Sequence, residues 1–376
     1  MPDLILRTID EIQIAEQGFK MRFFVLLFFL IFMAFPSTAS FDLLRTIGND
    51  VNDDYMFFKI TGAVMSDQKD IFVIDEKGLC VSKYNWDGVF QKRVGQSGRG
   101  PKDFLSLQQL RYFDNRIHIR DWKNYRIASA DTDLENFEYF QLKNPQFEDK
   151  QLFKLIRKYF FLDKNRLLLI TTISDKDTNS LCIINKSEKS LEKIFHNYIP
   201  VEKSILKING MAMAFVAPIV GINYKWKKIL VTSGFAENSI KFFLYTFTGE
   251  LIKESTHKQE KNFVYPIELF NKPVREMKRL KEKIDFSGID SIHSIGDYFL
   301  VVFHEYYSVD MFGREFGQNL KSFILVLDKD ANFIYKEKIP DSLYIYYVSQ
   351  DGYVLARGPL DEDIQKVRIY RLELKK

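Results

Sequence analysis

The stretch Gly98-Arg99-Gly100-Pro101-Lys102-Asp103-Phe104, with Gly95 just ahead of it, gathers three glycines and two cations, the raw material of a phosphate cradle. A Walker-type cradle needs a lysine directly after its last glycine, then Ser or Thr to hold magnesium. Here Pro101 intervenes and Asp103 stands where the hydroxyl belongs, so that chemistry is excluded. A dinucleotide fingerprint is excluded as well, because no third glycine opens an apolar helix after Gly98 and Gly100. Other reactive types are sparse. The five histidines, His118, His196, His257, His293 and His304, are scattered, with no His-x-x-x-His ligand spacing. No Gly-x-Ser-x-Gly elbow is present, so the sequence offers no catalytic residue and no metal-ligand set. His118 alternates with Ile117 and Ile119, the pattern of a structural imidazole on a strand. The candidate ligand contacts are His304 and Glu305, which end an apolar run, and Arg120 and Trp122 on either side of Asp121. Asp121 and Arg126 form a structural pair that pins a hairpin. Trp86, Trp122 and Tyr125 suit either a carbohydrate or peptide surface or plain packing.

The elements that hold these residues repeat. An apolar strand, a polar turn, a second strand, a short turn with Asp or Gly and a third strand recur six times. The units are Asp70–Val94, Arg116–Leu142, Arg166–Phe195, Lys228–Glu254, Tyr298–Lys338 and Tyr344–Leu374. Repeats of this kind are the sign of a β-propeller with four strands per blade. The expected fold class is therefore all-β: a six-bladed β-propeller of four-stranded antiparallel blades with one inserted helix. Six units across residues 40–376 exceed the roughly 40–45 residues of an ordinary blade, so insertions are expected. Pro273–Ile284 spaces Val274, Met277, Leu280 and Ile284 as one amphipathic helix does. Ser308–Leu320, with Gly313 and Gly317, reads as a long loop. A ring must also close, and the strand-like Phe41–Ile47 is expected to supply the outer strand of the last blade.

Residues 1–39 read as an upstream extension plus a signal peptide, and residues 40–376 as a single propeller domain. Met21 and Arg22 precede the apolar run Phe23–Phe35, and small residues follow as a cleavage site near Ala39. Met21 reads as the true start. The apolar run has 13 residues, short of the ~20 a spanning helix wants, and no Cys follows it for lipid attachment. In an exported protein Cys80 and Cys182 could form one bridge, but both sit inside apolar runs and are expected as buried free thiols. A formal net charge of +4 over 376 residues is too mild to argue for nucleic acid. The 35 Phe and 19 Tyr supply bulk for a core built from sheets.

Gly98-x-Gly100-Pro101-x-x-Phe104, together with Ile117-x-Ile119-x-Asp121-x-x-Asn124-x-Arg126-Ile127, resembles the six-bladed propeller proteins of Bacteroidetes-type bacteria, related to NHL-repeat and TolB-like propellers. In that resemblance the glycine-rich segment precedes a blade, an aspartate ends one strand and an arginine begins the next. Gly98, Gly100, Pro101 and Phe104 then form the link from the outer strand of one blade to the inner strand of the next. The glycines are expected to supply positive φ, Pro101 to stiffen the link and Phe104 to plug the seam.

Two function classes stay open. The first is an exported, non-catalytic propeller, periplasmic or secreted, that binds a protein, peptide or glycan partner in the cell envelope, with no stable membrane span after cleavage and no cofactor. The second is a propeller enzyme of lyase or lactonase type holding a divalent cation in its central channel. A purely structural subunit of an envelope complex is a third. In each, chemistry belongs on the loops and axis of a rigid ring.

Overall fold

A computed structural model describes residues 40–48, 56–142, 153–173, 178–198, 218–233, 239–259, 284–309, 320–340, 343–358 and 365–374. Residues 41–373 belong to one compact unit. The chain opens with β1 (Ser40–Ile47) and then lays down blade one as β2 (Ile60–Met65), β3 (Ile71–Asp75), β4 (Cys80–Tyr84) and β5 (Phe90–Val94). Blade two is β6 (Leu107–Phe113), β7 (Arg116–Asp121), β8 (Arg126–Asp131) and β9 (Glu138–Gln141). Blade three is β10 (Phe153–Phe161), β11 (Arg166–Ile173), β12 (Thr178–Asn185) and β13 (Ser190–Tyr198). Blade four is β14 (Pro218–Asn223), β15 (Lys228–Ser233), β16 (Ser239–Thr246) and β17 (Leu251–Lys258). Blade five is β18 (Ile284–Ile295), β19 (Tyr298–Val309), β20 (Leu320–Asp328) and β21 (Phe333–Ile339), and blade six is β22 (Tyr344–Val348), β23 (Tyr353–Arg357) and β24 (Val367–Glu373). Blade six is completed by β1, which lies beside β24, so the N-terminal strand closes the ring as expected.

The burial of each strand follows from its place in the blade. Second strands are covered by a neighbouring blade on both faces, so they read as unbroken apolar runs such as Ile71-Phe72-Val73-Ile74 and Phe299-Leu300-Val301-Val302-Phe303, all buried. Outer strands meet water and alternate, as β17 does from Ile252 onward. The core is distributed between adjacent blades. Val64, Phe72 and Ile74 of blade one pack with Leu107, Leu110 and Ile119 of blade two. Ile60, Ile71 and Val73 pack on the opposite side with Leu355, Val367 and Ile369 of blade six and Ile47 of β1.

The outer hairpins share a capping device. Asp131 Oδ1 accepts from the amides of Asp133 and Glu135 at 3.1 and 2.7 Å. Asp328 Oδ1 does the same for Asp330 and Asn332, both at 2.8 Å. Asn85 in blade one and Asn185 in blade three use their side-chain oxygens in the same way. These local bonds satisfy amides that a tight turn leaves unpaired.

The inserted helix lies outside the described residues except for Ile284, which opens a strand instead. Of the loop read over Ser308–Leu320, the two ends belong to strands β19 and β20, and residues 310–319 lie outside the described residues. Cys80 and Cys182 are free and buried, on different blades.

The glycine-rich segment does connect β5 to β6. Phe104 is fully buried between blades one and two, and its amide donates to the Gln96 carbonyl at 2.8 Å while its carbonyl accepts from the Gly98 amide at 3.1 Å. Gly95 has φ of 121°, the conformation expected of the run, whereas Gly98 and Gly100 do not take positive φ. Space explains them instead: a Cβ on Gly98 would meet Asp103 Oδ2 at 2.5 Å, and one on Gly100 would meet it at 2.6 Å. Asp103 needs that room because its carboxylate caps the turn, accepting from the Gly100 amide at 3.1 Å.

Candidate functional site

The inner strands β2, β6, β10, β14, β18 and β22 surround the axis of the ring and enclose a cavity of about 600 Å³. A regular inner strand would send its side chains alternately into the seams on either side, leaving little chemistry for the axis. Five of the six strands avoid this with a β-bulge. Thr61, Gln108, Arg157, Asp290 and Tyr346 are each skipped in the pairing with the second strand of their blade. All five line the cavity. An extra residue bends and re-aims its strand, so the bulges are the local device that turns the hub into a site. Blade four lacks it: β14 runs in unbroken register with β15 and contributes apolar Ile219 and Val220.

Bulged and neighbouring side chains also stitch one inner strand to the next. Tyr346 donates from its hydroxyl to the Ile60 carbonyl at 2.8 Å, and Thr61 from its hydroxyl to the Leu107 carbonyl at 3.2 Å. Gln109 donates to the Tyr159 carbonyl at 2.8 Å and accepts from the Tyr159 amide at 3.2 Å. Arg120 donates to the Ile156 carbonyl.

The cavity is cationic. Lys59, Arg111, Arg120, Arg157, Lys158 and Arg357 line it against two carboxylates, Glu76 and Asp290. Lys59 is paired with Glu76 at 2.6 Å. Among the described residues, Arg111, Arg120, Lys158 and Arg357 have no ion pair, and the guanidinium groups rest on rings instead. Arg111 lies 4.4 Å from the Phe160 centroid, Arg120 4.5 Å from Trp122 and Arg357 4.7 Å from Tyr344. A stacked guanidinium is held by its face and keeps its edge N–H groups for a ligand. The Nε atoms of Arg111, Arg120 and Arg357 are buried with no hydrogen-bond partner.

Burial of these groups carries an electrostatic cost. Burial holds Arg120 down to about 10. Burial first, and then Arg111 and Arg120, lowers Lys158, with Asp290 opposing. His293 is pushed to about 3, by burial first and by Arg111, and is neutral near pH 7. Asp290 and His293 sharing their space with Arg111 and Lys158 is a donor set that does not fit a divalent cation. Among the described residues no three His, Cys, Asp or Glu side chains group as metal ligands.

Of the residues singled out in the sequence, Arg120 lines the cavity and Trp122 carries its guanidinium. His304 and Glu305 are elsewhere. Both are buried on β19, His304 beside the Ser322 hydroxyl at 3.0 Å and Glu305 accepting from Lys336 at 2.7 Å. His304 reaches the site only from behind, its ring 5.8 Å from that of the lining Tyr344. Asp121 and Arg126 do pair, at 3.4 Å. Asp121 also accepts from the amides of Leu105 and Ser106 at 3.2 and 3.1 Å, and Arg126 donates to the Asp103 carbonyl at 2.6 Å. Together they fasten the glycine-rich link to blade two. His118 is satisfied by Ser129 and the Phe113 carbonyl, a structural imidazole. Trp86 packs on Tyr353 at 4.8 Å under the cations of Arg45 and Lys69. Arg111, Arg157, Lys158, Asp290, His293 and Arg357 were not legible as a site, because each blade contributes only one or two of them. The signal present in the sequence is polar residues in the segment ahead of an apolar strand, as in Gln108-Gln109-Leu110-Arg111.

The fold and its axial cavity place the chain in the class of six-bladed β-propellers. No family model matches the sequence, and no curated protein does. Among solved structures, it is similar to a member of the duf4221 family from Bacteroides vulgatus, with 11% identity over 90% of this chain and 98% of that one and a TM-score of 0.60. It is also similar to a candidate exported protein from Bacteroides fragilis, with 11% identity over 90% of this chain and 96% of that one and a TM-score of 0.57. At this identity the likeness concerns the fold.

Proposed function

We propose that the protein is an exported β-propeller that binds a protein, peptide or glycan partner of the cell envelope and returns it chemically unchanged. The observation that carries this reading is the axial cavity, walled by all six inner strands and lined by oriented polar groups on rigid elements, the setting in which ligand sites form. Its basic residues are two lysines and four arginines, three of them stacked on rings, with the neutral His293 beside them, its Nε2 3.0 Å from the Ser291 hydroxyl. The metal-centred enzyme loses support because the donor set is cationic. Export rests on the apolar run Phe23–Phe35 and the small residues ending at Ala39, after which β1 begins at Ser40. The exported candidate from Bacteroides fragilis has the same fold. Among the described residues no helix is long and apolar enough to cross a membrane.

Two measurements test the reading. Mass and N-terminal sequencing of protein recovered from the cell exterior or periplasm should give a chain starting at Ser40; an uncut chain confined to the cytoplasm contradicts export. Incubation with envelope glycans and peptides should give saturable binding with the ligand recovered intact by mass spectrometry, and turnover into product contradicts a pure binder.

A further inference from the structure

Among the described residues lining the cavity, Arg111, Arg120, Lys158 and Arg357 have no ion pair, against two carboxylates, one of which is used by Lys59. Burying a charge without a partner is costly, and folded proteins normally pair it or leave it in water. Arg120 is 2% exposed and Arg357 9% exposed, each with a buried Nε lacking any partner, and both line this cavity. Three guanidinium groups approach from blades two and six, and Lys158 joins them from blade three. An outward-facing patch of cations would be explained by solvent. Arg120 and Arg357 are withdrawn from solvent while Lys158 is exposed to it, and the cavity's volume of about 600 Å³ lies in the range of roughly 300–1,000 Å³ that holds a small molecule.

We propose that the axial cavity is a binding site for a small organic oxyanion, a sugar-sized molecule bearing carboxylate or phosphate groups, gripped by Arg111, Arg120, Lys158 and Arg357. The planar guanidinium groups of Arg111 and Arg357, with the part of Arg120 not taken by the Ile156 carbonyl, match the forked geometry of carboxylate and phosphate oxygens. The stacking rings, Phe160, Trp122 and Tyr344, fix those edges before the ligand arrives, which lowers the ordering cost of binding. Asp290, the carboxylate left over, is placed to take a hydroxyl of the same ligand or to repel a fully ionised one that enters in the wrong orientation. Burial disfavours the charged form of Arg120, and an anion beside it offsets that cost, so the ligand stabilises the folded chain.

This inference rests on the binding reading above, and the two fail in different ways. A ligand that binds at the axis and is turned over defeats the binder and leaves the oxyanion site standing. A partner bound with no response to oxyanions does the reverse. The experiment is titration calorimetry, with thermal melts alongside, of the full chain with glucuronate, glucose 6-phosphate, inorganic phosphate and neutral glucose, at ionic strength held constant with chloride. The two charged sugars are expected to saturate one site and raise the melting midpoint, and glucose to do neither. Glucuronate and the sugar phosphate separate a carboxylate from a phosphate preference, and binding of phosphate alone assigns the grip to the anion and not the ring. Arg111→Gln and Lys158→Gln should each weaken binding at least tenfold while the ligand-free protein melts no lower than the parent. Lys92→Gln, on the outer strand of blade one, should leave affinity unchanged. Heat and melting responses that are absent for every oxyanion, equal for glucose, or the same in both cavity variants as in the parent overturn the proposal.

Discussion

Asp121 and the exposed Asp87 are both ion-pair partners of an arginine, and their surroundings set them apart. Asp121 is fully buried beside Arg126 and accepts from two backbone amides, whereas the Arg45–Asp87 pair, at 2.7 Å, leaves 68% of the Asp87 side chain exposed. Removing one partner of a buried pair costs about 3–5 kcal/mol, against about 0–1 kcal/mol for a surface pair. Urea midpoints should therefore fall steeply for Asp121→Ala and barely move for Asp87→Ala; equal shifts would refute the role given to Asp121. His118 makes a pH prediction. Burial first, opposed by its bond to the Phe113 carbonyl, holds it at about 4 against 6.5 when unfolded. The unfolded chain thus takes up a proton first, so stability is full above pH 6.5 and declines as pH falls toward 4, by on the order of 3 kcal/mol for this one group. His118→Asn should lose less stability than the parent between pH 7 and 4.5, and an identical loss would refute the assignment. The thiols give a third test. Burial raises Cys80 and pushes Cys182 up to about 12, so neither should react with a disulfide reagent at pH 8 until urea unfolds the chain.

At the scale of the strand, close approach at the hub depends on glycine. A Cβ on Gly221 of β14 would strike the Ile292 side chain of β18, lying 2.7 Å from its Cβ and 3.2 Å from its carbonyl oxygen. Gly221→Ala should cost about 1–3 kcal/mol by overpacking, and adding Ile292→Ala should cost less than the sum of the two single changes, because the second removes the obstacle. Additive losses would mean that the strands move apart freely. The same strands explain what the sequence could and could not reveal. Ile71–Asp75 or Tyr298–His304 announce themselves because burial on both faces makes the run apolar, and the hairpins announce themselves through capping residues such as Asp131 and Asp328. The inner strands β2, β6, β10 and β18 carry no such mark: a bulge breaks the two-residue alternation, and the cavity demands Gln108, Arg111, Arg157 and Lys158 where a strand pattern calls for apolar residues. Arg120 was legible because it adjoins Asp121 in a recognisable motif. Arg357 and Asp290 were not, since nothing local links residues that only ring closure brings together. Gly98 and Gly100 were correctly seen as necessary, for the wrong reason, because clearance around Asp103 is invisible before the chain is folded.

For the molecule as a whole, closure and function are one problem. The cavity exists only while six blades face one axis, and the last blade is finished by β1, whose Ile47 is buried between blades six and one. A chain beginning at Gly48 leaves β24 with an open edge. Its melting midpoint should drop by roughly 5–10 °C relative to a chain beginning at Ser40, and its affinity for glucuronate should fall with it; an unchanged midpoint would show that the ring does not depend on the strand. Oxyanions are held at the axis by side chains that five bulges and three aromatic rings place there. Crystals of the full chain soaked in selenate, with data collected at the selenium edge, test it directly. An anomalous peak on the axis within hydrogen-bonding distance of Arg111, Lys158 or Arg357 is the predicted result, and selenate found on exposed lysines with the axis empty would contradict it.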